Sequence, residues 1–236
     1  MLKSSILILT LSVCPLLVVA EAGDITTSVW LGVTALDFDY EEFDGQNDSL
    51  DHEEGWLPGM NAGVGLEAER WFAESSLLWS SGQVDYHSPA IDSETDEEIL
   101  NLEILAGTPV FARDRQRLSL VAGGGHRKWQ RDIHSTPNAL GLDETYRWFY
   151  WLLGLRGEHA FNARTRIVAD AQLTRTVNPE IDVQFKANYA DDVSLDLGEE
   201  TAFKASLALH RTLGGGTSLW LMPWYERWDL GRSSVK

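Results

Sequence analysis

Hydrophobic and polar side chains alternate with a period of two along residues 59–72. The apolar members share one parity, namely Met60, Ala62, Val64, Leu66 and Ala68. The other parity carries Asn61, Gly63, Gly65, Glu67 and Glu69. Because successive side chains of a strand point to opposite faces, the segment predicts a strand with one apolar face and one polar, glycine-rich face. A helix over residues 66–78 is the alternative, and the two glycines disfavour it because each costs about 1 kcal/mol in a helix relative to alanine.

The same alternation recurs along the chain and predicts nine strands in all. They span residues 24–40, 59–72, 73–86, 98–110, 117–130, 145–158, 165–177, 201–210 and 218–228. Long acidic connections at residues 41–58, 87–97, 131–144 and 178–200 alternate with short basic, aromatic or glycine-rich turns. The first three are predicted as loops, and in the fourth the alternation at Ile181, Val183 and Phe185 is enough to extend a strand. This asymmetry predicts an up-and-down sheet whose long connections all lie at one end.

The N-terminal residues have the pattern of a secretory signal peptide. Lys3 supplies the positive charge, residues 6–19 an apolar run and Ala20-Glu21-Ala22 a small-x-small cleavage site. A membrane anchor is disfavoured, since a transmembrane helix needs about 20 apolar residues. The sequence therefore predicts a signal peptide at residues 1–22 and a single domain at residues 23–236.

Cysteine usage and net charge exclude several classes of protein. Cys14 is the only cysteine, and it matches a lipoprotein signal poorly because Val13 stands where a small residue is expected. The remaining domain has no disulfide to hold it together. The net charge of −17 argues against a nucleic-acid partner, which would need clustered lysine and arginine.

The composition of the two strand faces favours a membrane barrel over a soluble β-sandwich, which remains the alternative. The polar face is mostly glycine, serine and asparagine with isolated charges, whereas a solvent-facing sheet would carry lysine, glutamate and threonine. Ten tryptophans are more than a soluble core of this size uses, and tryptophan is favoured at membrane interfaces. Lipid cannot satisfy backbone polar groups, so a spanning sheet must close on itself. The predicted fold is an all-β, antiparallel, up-and-down transmembrane β-barrel with nine visible strands and ten when complete.

The chain resembles the small outer-membrane β-barrel proteins of Gram-negative bacteria, a broad porin-like or OmpA-like class. The resemblance rests on the signal peptide, the loop alternation, the Leu57-Pro58-Gly59 turn after an acidic segment, and an aromatic belt. The expected belt residues are Trp71, Phe72, Trp79, Trp129, Trp148, Phe161 and Trp228. The resemblance implies the outer membrane as location, lipid and lipopolysaccharide as surroundings, and assembly by the barrel assembly machinery. Such barrels commonly end on phenylalanine, and this chain ends at Lys236, so a missing tenth strand is expected.

Parity assigns the remaining candidate residues to one of the two faces. The charged residues expected in the lumen are Glu67, Glu69, Glu103, Arg117, Arg127, Arg156, Glu158, Arg166, Asp170 and Lys204. The residues expected to face lipid are Met60, Val64, Leu66, Leu100, Leu102, Ile104, Leu118, Leu120, Leu153, Leu155, Ile167 and Leu173. Both signs of charge on one inner face predict a salt-bridged interior. A charged constriction that selects solutes, or a proton-transfer pair, is the alternative.

The sequence carries no recognisable catalytic pattern. Outer-membrane proteases with ten strands use paired aspartates and an Asp-His couple, but His52, His87 and His134 have no matching spacing. The His-x-Ser motif of lipid A deacylases is absent because Lys128 follows His126. No metal site and no cofactor is expected. The predicted function is that of a non-enzymatic barrel for solute passage or structural support. The alternative is an interaction barrel that binds a partner or lipopolysaccharide through its acidic loops. A surface hydrolase is disfavoured.

Overall fold

A ring of antiparallel strands forms the architecture of the computed structural model. The structure describes residues 2–12, there for the backbone alone, and 25–43, 48–89, 91–188 and 190–232. The strands are β1 (Leu2–Ser12), β2 (Thr26–Phe43), β3 (Ser49–Glu67), β4 (Phe72–His87), β5 (Asp92–Arg113), β6 (Gln116–Ile133), β7 (Leu142–Asn162), β8 (Thr165–Phe185), β9 (Val193–Asp196), β10 (Thr201–Gly214) and β11 (Thr217–Leu230). A short 3₁₀ turn covers Lys186–Asn188. No helix among these residues is long and apolar enough to cross a membrane.

Each long strand pairs antiparallel with its neighbour, and the ring closes. Strands β2 to β8 pair in sequence order, β8 pairs with β10, and β10 pairs with β11. The small strand β9 pairs only with the end of β8, at Glu180↔Asp196 and the three following positions. Nine of the long strands coincide with the nine that the alternation predicts, so the all-β, antiparallel, up-and-down barrel is confirmed.

The tenth place in the ring is taken by a segment that the sequence assigns to the signal peptide. The backbone of β1 pairs with β11 from Leu2↔Leu230 onward and with β2 from Leu2↔Glu42 onward. The cleavage site expected at residues 20–22 lies outside the described residues. Signal-peptide cleavage and a missing last strand therefore stay predictions.

Strand pairing continues into all four acidic segments. The loop prediction is wrong over most of residues 41–58 and 87–97 and at both ends of residues 131–144, whereas the strand extension expected at Ile181, Val183 and Phe185 agrees with β8. Pairing of β2 with β3 continues to Phe43↔Ser49, and pairing of β6 with β7 continues to Ile133↔Leu142. The connecting segments at this end shrink to residues 44–48, 88–91, 134–141 and 186–200. Acidic residues can occupy both faces of these strand ends because the outer face is wet there, so the apolar half of the alternation disappears while the backbone ladder goes on.

The opposite end of the barrel has tight turns, as expected. The basic turn predicted at residues 109–116 is only Asp114 and Arg115, because β5 continues to Arg113. The β10–β11 turn needs its glycines, since Gly214, Gly215 and Gly216 have φ of 118°, 60° and 77°. We call this the short-turn end.

The outer wall carries a continuous apolar belt. Large apolar side chains at 36% to 59% exposure lie on every strand from β2 to β11. Those of the nine long strands lie mainly within residues 25–35, 56–66, 73–79, 100–110, 118–124, 149–161, 167–173, 203–209 and 219–225. Beyond the belt the outward positions become charged, starting with residues such as Asp37, Glu54, Glu98 and Arg147. We call the barrel beyond the belt, built from residues 37–43, 49–54, 81–87, 92–98, 128–133, 142–147 and 175–185, the distal extension.

Candidate functional site: a charged and aromatic column in the lumen

Ion pairs cross the lumen near the short-turn end. Arg117 Nη1 lies 2.5 Å from Glu67 Oε1. One level further along the axis, Arg156 donates two hydrogen bonds to Glu74, at 2.6 and 3.0 Å, and one of 2.8 Å to Asp170. Arg156 joins strands β4, β7 and β8 in this way. A guanidinium can make these contacts together because its planar fork presents donors in several fixed directions.

A second pair of levels fills the middle of the lumen. Lys204 Nζ lies 3.2 Å from Glu103 Oε2, and the Tyr150 hydroxyl donates to the same carboxylate at 3.0 Å. Arg127 Nη2 lies 3.1 Å from Glu226 Oε2, and its Nε donates to Asn101 Oδ1 at 3.1 Å. The side chains of Arg127 and Glu226 are at most 8% exposed, so this pair is largely desolvated, whereas Lys204 and Glu103 keep 24% and 12% of their side-chain surface exposed.

We call this stack of lumen pairs, which runs from Glu67–Arg117 through Arg156, Lys204 and Arg127, the column. Aromatic rings pack against its arginines. The Arg127 guanidinium lies 2.8 Å from the Trp228 ring centroid, and Trp148 packs edge-on against Trp228 at 4.8 Å. Both tryptophans are buried, at 3% and 7% exposure. Phe72 contacts the guanidiniums of Arg117 and Arg156, at 5.8 and 4.9 Å from its centroid. Such cation–π contacts are strongest where the cation is desolvated.

The column ends in the distal extension at a site that we call the Arg131 centre. The Arg131 side chain is 1% exposed, and its nitrogens lie 2.9 Å from Glu53, 3.5 Å from Glu97, 2.6 Å from Glu144 and 4.0 Å from Asp51. These four carboxylates surround one guanidinium. The rings of Tyr40, Trp129 and Tyr146 stack around it, with Tyr40 at 4.5 Å from the guanidinium carbon and Trp129 at 4.6 Å from Tyr146.

The excess of carboxylates perturbs the protonation equilibria of the Arg131 centre. Burial raises the pKa of Asp51 to about 7, although Arg131 opposes the shift. Burial and the neighbouring Glu53 raise the pKa of Glu97 well above its usual range. Burial alone would lower the pKa of Arg131, but Glu53 and Glu144 outweigh it and hold that pKa well above its usual value. The arginine therefore stays charged, and the pKa values raised by burial are those of Asp51 and Glu97.

The structure can be compared with the charged residues that the sequence assigns to the lumen. Nine of these residues take part in ion pairs or hydrogen bonds on the inner face: Glu67, Glu103, Arg117, Arg127, Arg156, Glu158, Arg166, Asp170 and Lys204. The prediction is wrong for Glu69, which is exposed in the bend between β3 and β4. The strand ends at Glu67, so parity no longer fixes the direction of a side chain two residues later.

The residues assigned to lipid lie mainly on the outer wall. Eleven of them are at least 38% exposed: Met60, Val64, Leu66, Leu100, Leu102, Ile104, Leu118, Leu120, Leu153, Leu155 and Leu173. Ile167 is half-buried. Three expected belt aromatics, Trp71, Trp79 and Phe161, are also exposed on the outside.

Four of the expected belt aromatics are instead inside the barrel, and this corrects the prediction. Phe72, Trp129, Trp148 and Trp228 are between 3% and 7% exposed. Trp129 shares the parity of Arg127 and Arg131, so its position in a strand was the signal for the lumen. The aromatic character of these residues suggested a membrane interface, but rings stacked on buried guanidiniums satisfy the same amphipathic preference.

The sequence did not single out Arg131, Tyr40 or the carboxylates around them, because most of these lie in segments that were predicted as loops. Strand register brings them together, through Tyr40↔Glu53 and Glu97↔Arg131. The alternation of inward and outward positions continues across residues 92–98 and 128–133. Following it there would have placed Glu97 and Arg131 in the lumen.

Histidine–carboxylate pairs lie on the outer wall of the distal extension. His87 Nδ1 lies 2.9 Å from Asp92, His134 Nε2 lies 3.0 Å from Asp96, and His52 lies 3.9 Å from Asp39. The hydrogen bond to Asp92 raises the pKa of His87. Within the described part of the chain, no group of three or more histidine, cysteine, aspartate or glutamate side chains is arranged to hold a metal ion.

Comparison with known proteins supports the fold. No family model and no curated protein matches the chain. Its structure is similar to that of the outer-membrane protease OmpT from Escherichia coli, with a TM-score of 0.53 and 7% identity over 99% of this chain and 96% of that one. The translocator domain of the autotransporter NalP from Neisseria meningitidis has a TM-score of 0.48, with 11% identity over 98% of this chain and 88% of that one. OprG from Pseudomonas aeruginosa has a TM-score of 0.46, with 11% identity over 96% of each chain. At such identities the likeness to OmpT shows the barrel fold alone.

Proposed function

We propose that the chain is an outer-membrane β-barrel of a Gram-negative bacterium whose lumen is closed at neutral pH, and which acts as a non-enzymatic interaction barrel. The column from Glu67–Arg117 to the Arg131 centre carries the closed-lumen part of this proposal. Signal-peptide cleavage after Ala22, assembly by the barrel assembly machinery and contact with lipopolysaccharide belong to the same proposal.

The closed lumen follows from the burial and pairing of the column. Arg127, Trp148 and Trp228 occupy the middle of the barrel at 7% exposure or less, and ion pairs span the lumen on either side of them. A solute would have to separate buried pairs, which costs several kcal/mol per pair because each orphaned charge stays desolvated. Passive passage needs a path without that barrier.

The distal extension supplies the interaction surface. Its outer wall carries exposed carboxylates on the neighbouring strands β3, β4 and β5, including Glu54, Asp85, Glu94 and Glu98. In a chain of net charge −17, this surface favours a cationic partner, or a lipopolysaccharide phosphate bridged through a divalent cation. Since the carboxylates are on paired strands and not on loops, they form a fixed array.

Binding to a lysine-rich decapeptide tests the interaction surface. Titration of the refolded barrel in non-ionic detergent should show binding that weakens as salt rises, because salt screens exposed charges. Replacing Glu54, Glu94 and Glu98 by glutamine should reduce the affinity at least tenfold. Glu69→Gln with Asp114→Asn, two exposed carboxylates at the short-turn end, is the control and should change the affinity less than twofold. Equal losses in both variants would refute a localised surface.

Solute passage through a charged constriction is the second candidate, and the mixed charges along the inner wall favour it. Planar bilayer recordings at pH 7 separate the two. The closed column predicts no stepwise conductance from the wild-type barrel. Regular single-channel steps at pH 7 would overturn the closed lumen and support passage.

A further inference from the structure

An open cavity at the short-turn end of the barrel is lined by four arginines, one of which, Arg117, also pairs with Glu67 in the column. It has a volume of about 400 Å³ and is formed by the β5–β6 turn and by residues of β7 and β8. Its lining includes Arg113, Arg115, Arg117 and Arg166, and the carboxylates of Asp114 and Glu158. With Glu67 counted, four guanidiniums face three carboxylates, which leaves a local surplus of one positive charge in a strongly acidic protein.

Two of these arginines have buried donors that nothing in the described chain accepts. Arg117 gives one nitrogen to Glu67, but its Nε and Nη2 are buried without a hydrogen-bond partner. Nε of Arg166 is likewise buried and unpartnered, while Nη1 contacts Glu158 at 3.5 Å. Buried guanidinium donors are usually satisfied, so a rotation of either side chain toward the cavity would present these donors to an acceptor there.

Aromatic rings fix the orientation of both arginines. The Arg117 guanidinium lies 5.8 Å from the Phe72 ring centroid, and that of Arg166 lies 5.7 Å from the Trp220 centroid. Arg115 is anchored by a 2.9 Å hydrogen bond to the carbonyl of Phe161. The side chains are therefore largely pre-ordered, which lowers the entropic cost of closing on a ligand.

We infer that this cavity is a binding site for a phosphoryl group carried on a small polar molecule or on a lipid headgroup. Arginine forks match the tetrahedral oxygens of phosphate and bind them with two parallel hydrogen bonds. The volume lies within the range of small-ligand pockets and exceeds what bare phosphate needs. This inference depends on the barrel geometry and does not require the acidic interaction surface.

Calorimetric titration of the refolded wild-type barrel in non-ionic detergent with glycerol 3-phosphate tests the site. Saturable binding that weakens with salt is expected. Arg117→Gln with Arg166→Gln should reduce the affinity at least tenfold. The matched control, Arg70→Gln with Arg211→Gln, removes two exposed arginines at the same end that do not line the cavity, and should change the affinity less than twofold.

A second variant keeps the test decisive if the double variant fails to fold. Glu158→Gln removes the carboxylate that competes for Arg166, so it should strengthen binding of glycerol 3-phosphate at least threefold. Unchanged or weaker binding in a folded Glu158→Gln barrel would count against the site, as would equal losses in the cavity and control variants.

The two sources of the phosphoryl group are separated by reconstitution. Glycerol 3-phosphate binding in detergent identifies a soluble phosphorylated molecule as sufficient. If only nanodiscs that contain phosphatidylglycerol protect the cavity arginines from modification by phenylglyoxal, compared with phosphatidylcholine nanodiscs, the ligand is a lipid headgroup. Absence of both effects overturns the inference.

Discussion

Replacing Arg131 by methionine should destabilise the barrel in a manner that depends steeply on pH. Arg131 is 1% exposed and is surrounded by carboxylates, of which Glu53 and Glu97 have fully buried side chains. Methionine is flexible and apolar, so it can fill the space between Tyr40 and Trp129 without leaving a large cavity. The substitution therefore removes mainly the positive charge and its hydrogen bonds.

The size of the effect follows from what the arginine leaves behind. Removing one partner of a buried ion pair costs about 3–5 kcal/mol, because the remaining charge has neither water nor a counter-ion. That cost applies at pH 8, where the orphaned carboxylates must be either ionised in a dry site or protonated against the bulk pH. At pH 5 they take up protons readily, and the cost should fall to about 1–2 kcal/mol from lost hydrogen bonds.

The direction with pH can be worked out from proton binding. In the variant, the folded state holds protons on carboxylates that have a pKa of about 4.3 in the unfolded chain. The folded state therefore binds more protons than the unfolded state, and stability is lost as pH rises. The difference in free energy of unfolding between wild type and variant should widen from pH 5 to pH 8.

Urea unfolding in lipid vesicles, followed by tryptophan fluorescence at both pH values, measures this difference. Lys128→Met is the matched control, since it removes one positive charge from an outward-facing position of the same strand. Adding Glu53→Gln and Glu97→Gln to Arg131→Met should recover at least half of the loss at pH 8. An Arg131→Met barrel that is as stable as the control at pH 8, or equally destabilised at pH 5 and pH 8, would refute the reasoning.

Two further predictions test the distal extension and the assignment of faces. Burial raises the pKa of Asp51 to about 7, so its contribution to stability is complete below its unfolded pKa of about 3.9 and is lost as pH rises through 7. Asp51→Asn should therefore stabilise the barrel increasingly from pH 5 to pH 8, by up to about 4 kcal/mol, as measured by urea midpoints; no change across this range would contradict the buried carboxyl. Leu66→Arg places a charge on the apolar belt and should cost about 2–4 kcal/mol and impair assembly, measured by heat-modifiable mobility on gels. Gly65→Ser faces the lumen, where the new Cβ lies 2.7 Å from the hydroxyl of Ser28 that can turn away, and should assemble far better; equal effects would mean that the faces are reversed.

The sequence was sufficient to predict the fold because alternate side chains of a barrel strand face the outside and the lumen. The two environments therefore appear as alternating apolar and polar residues. Met60, Val64 and Leu66 alternate with glycines and glutamates, and the same rule holds on every long strand. Strand ends were harder to locate, since the rule depends on lipid outside the wall. Beyond the apolar belt, water replaces lipid and Asp37 or Glu54 can point outward, so a paired strand there looks like a loop.

The prediction from residue type was wrong for tryptophans, because two different environments satisfy the preferences of an indole side chain. A tryptophan needs an apolar ring environment and a partner for its N–H, and a membrane interface offers both. The lumen offers them as well: the indole of Trp129 donates its N–H to Glu97, and its ring packs on Tyr146. The strand parity that Trp129 shares with Arg127 and Arg131, and not its residue type, distinguishes the two environments.

The column also divides the barrel into two electrostatic regimes. Within the apolar belt, packed side chains leave little screening in the lumen, and each cation there has one or two carboxylate partners, as Lys204 has Glu103 and Arg156 has Glu74 with Asp170. In the distal extension, Arg131 is opposed by four carboxylates, and water outside the wall makes such an excess tolerable. The levels within the belt should hold the lumen closed at any moderate pH, because the excess there is at most one carboxylate, at Arg156. The unbalanced level is where protons bind, so pH should act on the distal mouth first and leave the belt intact.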